Sequence, residues 1–235
     1  MDPTNRDDIK PGLRVKIVLK KDLRKASQES SEGKNLSDLG LEKISNQYEK
    51  TIKIPKIKPS RQLMICPIGL VGAGKTTILK PICSKLGLVR ISTDEVRHLL
   101  KRGGYNYLRA TEIAKILTAK YLDLGYSIAI DGDCIQPKYQ KHFKKLAREH
   151  KILLIWIHVK PSEKFIINKL KKYNHTWLFK DSAEAMYNYR RRKLLHKAYL
   201  PSIDFYFKFD TSRDDLKNQI REFINKLKTD LHYRN

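Results

Sequence analysis

The chain has 235 residues, with 49 lysines and arginines against 25 aspartates and glutamates, a formal net charge of +24. Its 40% apolar and 9% aromatic composition excludes a chain disordered throughout, and the length allows one sizeable core with or without an extension. No apolar run approaches the ~18 residues of a membrane span, and the amino terminus lacks the basic-then-apolar pattern of a signal peptide, which disfavours secretion and membrane insertion.

Three cysteines, Cys66, Cys83 and Cys134, form neither an even disulfide framework nor a zinc-ligand spacing. A reducing cytoplasm is the simplest setting, with the thiols as small buried hydrophobes.

In chain order, residues 1–60 read as an extension and linker, and 61–235 as the main domain. Leu13 to Leu19 alternates as a short strand, Ala26 to Asn35 reads as a polar loop, and Leu36 to Lys50 can form a short helix. Thr51 to Ser60, with Pro55 and Pro59, reads as an extended linker. Asn5 to Lys21 resembles the opening of the small bacterial YwbE family, a likeness that carries no function here. The extension offers little apolar surface and reads as an appendage, in part disordered.

From Gln62 onward strands and helices alternate. Strands are expected at Leu63–Cys66, Leu88–Ile91, Ser127–Asp131, Ile152–Val159 and Phe205–Phe209. Helices are expected at Lys75–Leu86, stopped by Gly87, and at Asp94–Lys101, Leu108–Leu124, Lys138–His150, Pro161–Lys172, Ala183–Tyr199 and Asp214–Leu231. This alternation predicts an α/β fold, a five-stranded parallel sheet with helices on both faces. Ligands in such sheets collect beyond the carboxyl ends of the strands.

Gly69-Leu-Val-Gly-Ala-Gly-Lys-Thr76 matches G-x-x-x-x-G-K-[ST] between a strand and a helix, the pattern of a phosphate loop. Gly69, Gly72, Ala73 and Gly74 allow backbone N–H groups to surround a phosphate, and the helix start that includes Thr77 adds partial positive charge. Lys75 supplies a charge for the β- and γ-phosphates, and the Thr76 hydroxyl is placed to ligate magnesium. These features imply ATP and Mg2+ as cofactors. Asp131, ending an apolar strand, is the candidate second metal ligand. Asp133 competes for that role or is a turn residue.

After the second strand, Ser92 and Glu95 have capping-box spacing. Asp94 and Arg97 pair at i, i+3 in the same stretch. Asp94 could accept a proton from an attacking hydroxyl, and Arg97 could hold an acceptor phosphate or the transferring group.

Gly69–Thr76, Ile91-Ser-Thr-Asp-Glu-Val-Arg97 and Ile128-Ala-Ile-Asp131 together resemble the P-loop kinases that include polynucleotide 5′-hydroxyl kinases, with zeta-toxin-like and small-molecule kinases as near relatives. The resemblance covers about Gln62 to Leu231 and includes Asp181 to Tyr187. It implies a general base at Asp94, an acceptor contact at Arg97 and a lid near 168–192. Where such lids carry an arginine pair, this chain has Asn168-Lys-Leu-Lys-Lys172, and lysine lacks the planar bidentate clamp of arginine. Arg190-Arg-Arg192 is the alternative source of a transition-state arginine, with Arg190 the candidate. Three consecutive helical residues point in three directions, so one or two at most face the phosphate.

Half of the charge excess lies between Pro137 and Lys193, which hold 16 basic and 4 acidic residues. Aromatics are interleaved there, including Tyr139, Phe143, Tyr173, Phe179, Tyr187 and Tyr189. That mixture suits single-stranded nucleic acid. The expected function is a kinase for a hydroxyl, preferably a nucleic-acid 5′ end. A small-molecule or nucleotide kinase, or an ATP-responsive nucleic-acid-binding module, is the alternative.

Overall fold

The computed structural model describes residues 33–173 and 178–232. The expected strand at Leu13–Leu19, the YwbE-like stretch and most of the Ala26–Asn35 loop lie outside them. Of that loop, Lys34 bridges to Tyr105, and the Asn35 side chain accepts from Asn106 Nδ2 at 2.7 Å.

The elements are α1 (Asp38–Glu49), β1 (Leu63–Ile68), α2 (Lys75–Leu86), β2 (Val89–Ser92), α3 (Thr93–Arg102), α4 (Ala110–Asp123), β3 (Ile128–Asp131), α5 (Pro137–Glu149), β4 (Leu153–Val159), α6 (Glu163–Lys171), α7 (Ser182–Tyr199), a short 3-10 turn at Leu200–Ser202, β5 (Phe207–Phe209) and α8 (Leu216–His232). The five strands are parallel, in the order β2-β3-β1-β4-β5. The central strand β1 is buried at all six positions, as a strand covered on both faces must be. It runs two residues beyond Cys66. Pro67 donates no backbone bond, yet the register with β4 continues to Ile68 opposite His158.

Alternation along the strands divides the interior in two. Met64, Cys66, Val89, Ile91, Ile128 and Ile130 face α3, α4 and α5, while Leu63, Ile65, Ala129, Ile155 and Ile157 face α2, α6 and α8. The long helix α7 serves both clusters, with Ala185 and Tyr189 in one and Leu195 in the other.

The segment from Leu36 to Glu49 differs from an appendage. Leu36, Leu41, Ile44 and Tyr48 are buried in the first cluster, and α1 packs against α3 and α4. Residues 41, 44 and 48 share one helical face, and that short stripe is enough because α3 and α4 leave a matching gap. Ser37 caps α1 by accepting from the Gly40 N–H at 3.1 Å. The linker that follows is also tied down, since Lys58 donates to Leu124 O at 2.9 Å and its ammonium lies 3.8 Å from the Tyr126 ring centre.

Candidate active site

The loop from Gly69 to Gly74 leaves β1 and feeds α2 at Lys75. Gly72 and Gly74 have φ of 80° and 89°, the left-handed region that side chains rarely enter. Gly69 is required for a different reason, because a Cβ there would stand 2.8 Å from Val159 O. Thr211, after β5, braces the loop by donating to Ala73 O at 2.6 Å. Lys75 Nζ donates to Gly69 O at 2.7 Å and Leu70 O at 3.0 Å, so its charge sits over the loop. Thr76 and Thr77 follow on the exposed first turn of α2.

The Thr76 hydroxyl donates to Asp131 Oδ1 at 3.0 Å. Asp131 is 3% exposed and also accepts from Arg90 Nη1 at 2.6 Å. Burial pushes its carboxyl above the usual range; Arg90 and Thr76 pull it back, and nearby Asp94 adds to the rise. A hydroxyl and a carboxylate this close, both hard oxygen donors, fit magnesium, which takes its other ligands from water and phosphate. Among the described residues no group of three or more His, Cys, Asp or Glu is placed to hold a metal by itself.

Asp94 lies in the first turn of α3, half-buried, and accepts from Arg97 Nη1 at 2.7 Å. The capping box around it is half formed. Ser92 Oγ accepts from the Glu95 N–H at 3.3 Å, but Glu95 does not return to the Ser92 N–H. That group donates instead to the Tyr48 hydroxyl at 2.6 Å, and the Glu95 carboxylate pairs with Arg90. Arg90 thus joins the helix carrying Asp94 to the carboxylate beside Thr76.

Asp133, its side chain 9% exposed, links the loop to α7. It accepts from the Gly69 N–H at 3.5 Å and contacts His196 Nε2 at 3.0 Å, with Arg192 Nη1 3.8 Å away. Burial would raise its carboxyl, but His196, Arg192 and Lys75 together hold it below its ordinary value. Gly132 leaves room for this arrangement, because a Cβ there would be 2.7 Å from Thr93 Oγ1.

The three arginines of α7 diverge. Arg190 is exposed and lines a surface cavity of about 630 Å³ with Glu163, Lys193 and Lys197. Arg191 donates to Asn188 Oδ1 at 3.1 Å. Arg192 turns inward towards Asp133, and its buried Nη1 has no hydrogen-bond partner among the described residues. Of the run, Arg192 rather than Arg190 stands beside the loop. Lys169, Lys171 and Lys172 are exposed.

Three residues at this site, Tyr48, Arg90 and His196, are not singled out as functional from the sequence, and Arg192 is named there only as part of the Arg190–Arg192 run. The i, i+4 spacing of Arg192 and His196 on one helical face was the available signal for that pair. For Arg90 it was a charge within an otherwise apolar strand.

A parallel sheet in this order, with a G-x-x-x-x-G-K-T loop between β1 and α2 and an acidic residue ending β3, defines a P-loop protein of kinase-like fold. The family model described as an AAA domain matches residues 64–185, and the chain belongs to that family. No curated protein is matched by the sequence. Among solved structures, a candidate kinase from Chloroflexus aurantiacus is similar at TM-score 0.53 and 17% identity, covering 69% of this chain and 96% of that one. A chain of the PezAT toxin–antitoxin system of Streptococcus pneumoniae is similar at TM-score 0.52 and 18% identity, covering 76% and 80%. The APS kinase of Mycobacterium tuberculosis, in complex with AMPPNP and APS, is similar at TM-score 0.48 and 16% identity, covering 72% and 99%. At these identities the likeness is one of fold.

Proposed function

We propose that the chain is an ATP-dependent phosphotransferase that moves the γ-phosphoryl group to a hydroxyl of an acceptor that itself carries phosphate, a nucleic-acid 5′ end or a nucleotide. The observation that carries this reading is the convergence on one sheet edge of Lys75, the Thr76–Asp131 oxygen pair and the Asp94–Arg97 pair.

In this reading the loop N–H groups and Lys75 bind the β- and γ-phosphates. Magnesium would be held by Thr76 and Asp131, and when bound it neutralises charge on the transferring group. Asp94 takes the proton of the acceptor hydroxyl, and Arg97 keeps that carboxylate oriented while meeting the acceptor's phosphate. Arg192 Nη1 is the buried donor best placed for charge developing on the transferred group, with Arg190 the more distant choice.

The basic segment 137–193 supports an anionic acceptor, since Lys141, Lys144 and Arg148 line a groove of about 550 Å³ on α5. The aromatics there support base stacking less well. Phe143 and Tyr189 are buried, and Tyr173 and Phe179 pack edge-to-face on each other. A phosphate-reading acceptor site therefore fits better than a stacking platform.

The test is transfer of labelled γ-phosphate from ATP to 5′-hydroxyl DNA, 5′-hydroxyl RNA, nucleosides, nucleotides and sugars. Asp94→Asn should retain ATP binding and lose about 10²–10⁴-fold in transfer. Unchanged turnover in that variant removes Asp94 from the mechanism. ATP-dependent oligonucleotide binding without transfer to any acceptor favours the non-catalytic alternative.

A further inference from the structure

A cavity of about 1170 Å³ lies beside the edge strand β2, between the linker at 51–60, the carboxyl half of α2, α3 and the end of α8. None of the residues from Gly69 to Thr77 lines it, so it is distinct from the phosphate loop. Its volume exceeds the ~300–1,000 Å³ usual for small-ligand sites.

Its walls are electrostatically one-sided. Lys53 and Lys56 come from the linker, Lys80 and Lys85 from α2, Arg102 from α3 and Lys228 from α8. With Lys58, which is tied to Leu124 O, and Arg90, which is paired with Asp131 and Glu95, eight lysines and arginines line the cavity among the described residues. Among the described residues the one acidic side chain lining the cavity is Glu95, already paired with Arg90. Like charges gathered round a concave surface repel one another and raise the local positive potential, and a bound polyanion relieves both effects.

Apolar surface accompanies the charge. Ile54 and Ile57 of the linker are 44% and 79% exposed at the rim, and Leu86 and Leu99 lie within. A bare phosphate would leave that surface in water. A ligand with several phosphates and a flat, largely apolar face would satisfy both parts, and a nucleoside polyphosphate has both, with room to spare in a cavity of this volume.

We propose that this cavity is a second ligand site, for a nucleoside polyphosphate, separate from the phosphate loop and sharing the Arg90–Glu95 wall with it. The site requires no particular acceptor and does not depend on phosphotransfer.

Full-length protein is titrated calorimetrically with AMPPNP and magnesium. Two binding events are expected. Lys75→Ala should abolish one. The paired variant Lys80→Glu/Arg102→Glu should weaken the other by about tenfold or more and leave the first. Should that pair fail to fold, Lys53→Glu/Lys228→Glu tests the same potential from other segments. A single event lost in Lys75→Ala and untouched by either cavity pair overturns the proposal, as do two events that neither pair shifts. A single event that survives Lys75→Ala and is lost in the cavity pairs upholds this site and overturns the phosphate-loop reading instead. If AMPPNP fails to reach the cavity while a single-stranded oligonucleotide binds through the same four side chains, the occupant is a nucleic-acid strand and the nucleotide proposal falls.

Discussion

The Tyr48 hydroxyl accepts the Ser92 N–H at 2.6 Å and donates to Glu95 Oε2 at 3.5 Å. A residue of the N-terminal helix thereby fixes the turn from which Asp94 projects. Burial holds the Tyr48 phenol far above its ordinary pKa, so it stays protonated throughout the physiological range. Tyr48→Phe removes the acceptor and leaves a buried N–H unsatisfied, at a cost of about 1–3 kcal/mol. Thermal unfolding should shift down. If Asp94 is the base, kcat should fall about tenfold with KM for ATP unchanged, because the loop is untouched. A variant less stable but equally active would show that Tyr48 serves the fold alone.

Arg90 has two anionic partners, Asp131 and Glu95. Arg90→Leu leaves the buried Asp131 carboxylate without its cation, a loss of about 3 kcal/mol. Because burial already raises the Asp131 carboxyl, losing Arg90 raises it further. The ionised form that could bind metal then appears only at higher pH. Magnesium-dependent ATP binding measured against pH should therefore have its acid limb displaced upward in the variant. An acid limb that does not move would show that Asp131 is not the metal-side carboxylate.

Much of this was legible in the chain because local rules and tertiary packing agree there. The glycine pattern before Lys75 permits only a narrow set of loop shapes, and the apolar runs ending at Cys66 and Asp131 place that loop and that carboxylate on one sheet edge. The packing of α1 was not legible. Its buried apolar residues, Leu41, Ile44 and Tyr48, are too few to announce a buried helix, Leu39 faces solvent, and what buries the three is packing against α3 and α4. Asp133 was ambiguous for a similar reason. Asp-Gly-Asp reads locally as a turn, and only the approach of α7 from 60 residues away supplies His196 and Arg192. The capping box at Ser92 shows the opposite failure, since a sound local pattern was half overridden by Tyr48.

Asp133 predicts how firmly α7 is held. Asp133→Asn keeps the volume but withdraws the charge that faces His196 and Arg192. Amide exchange in residues 182–199 should quicken relative to β1 and β4, by an opening free energy lower by about 1–3 kcal/mol. His196→Gln, which retains a donor, should lose less. Equal protection in wild type and Asp133→Asn would mean that α7 is held by Ala185, Tyr189 and Leu195 alone.

His158 sets an acid limit on stability. It is the penultimate residue of β4, is buried, and stacks on Phe205 with ring centres 4.7 Å apart. Burial, followed by the neighbouring His196, Lys160 and Lys208, pushes its imidazole down to about 4. In the unfolded chain the group titrates near its ordinary value of about 6.5. Between those values the unfolded state binds more protons than the folded one, so stability rises with pH across that window. The contribution is therefore complete above about pH 6.5 and is lost progressively as pH falls towards 4. Asp133, whose carboxyl is depressed, adds its own loss only at lower pH, as protonation removes its bond to His196. Thermal melts between pH 7.5 and 4.5 should show the midpoint level down to about pH 6.5 and falling below it in wild type. His158→Phe keeps the ring stack, removes the titrating group and should flatten that slope. A variant whose melts fall as steeply as wild type would place the acid sensitivity elsewhere in the chain.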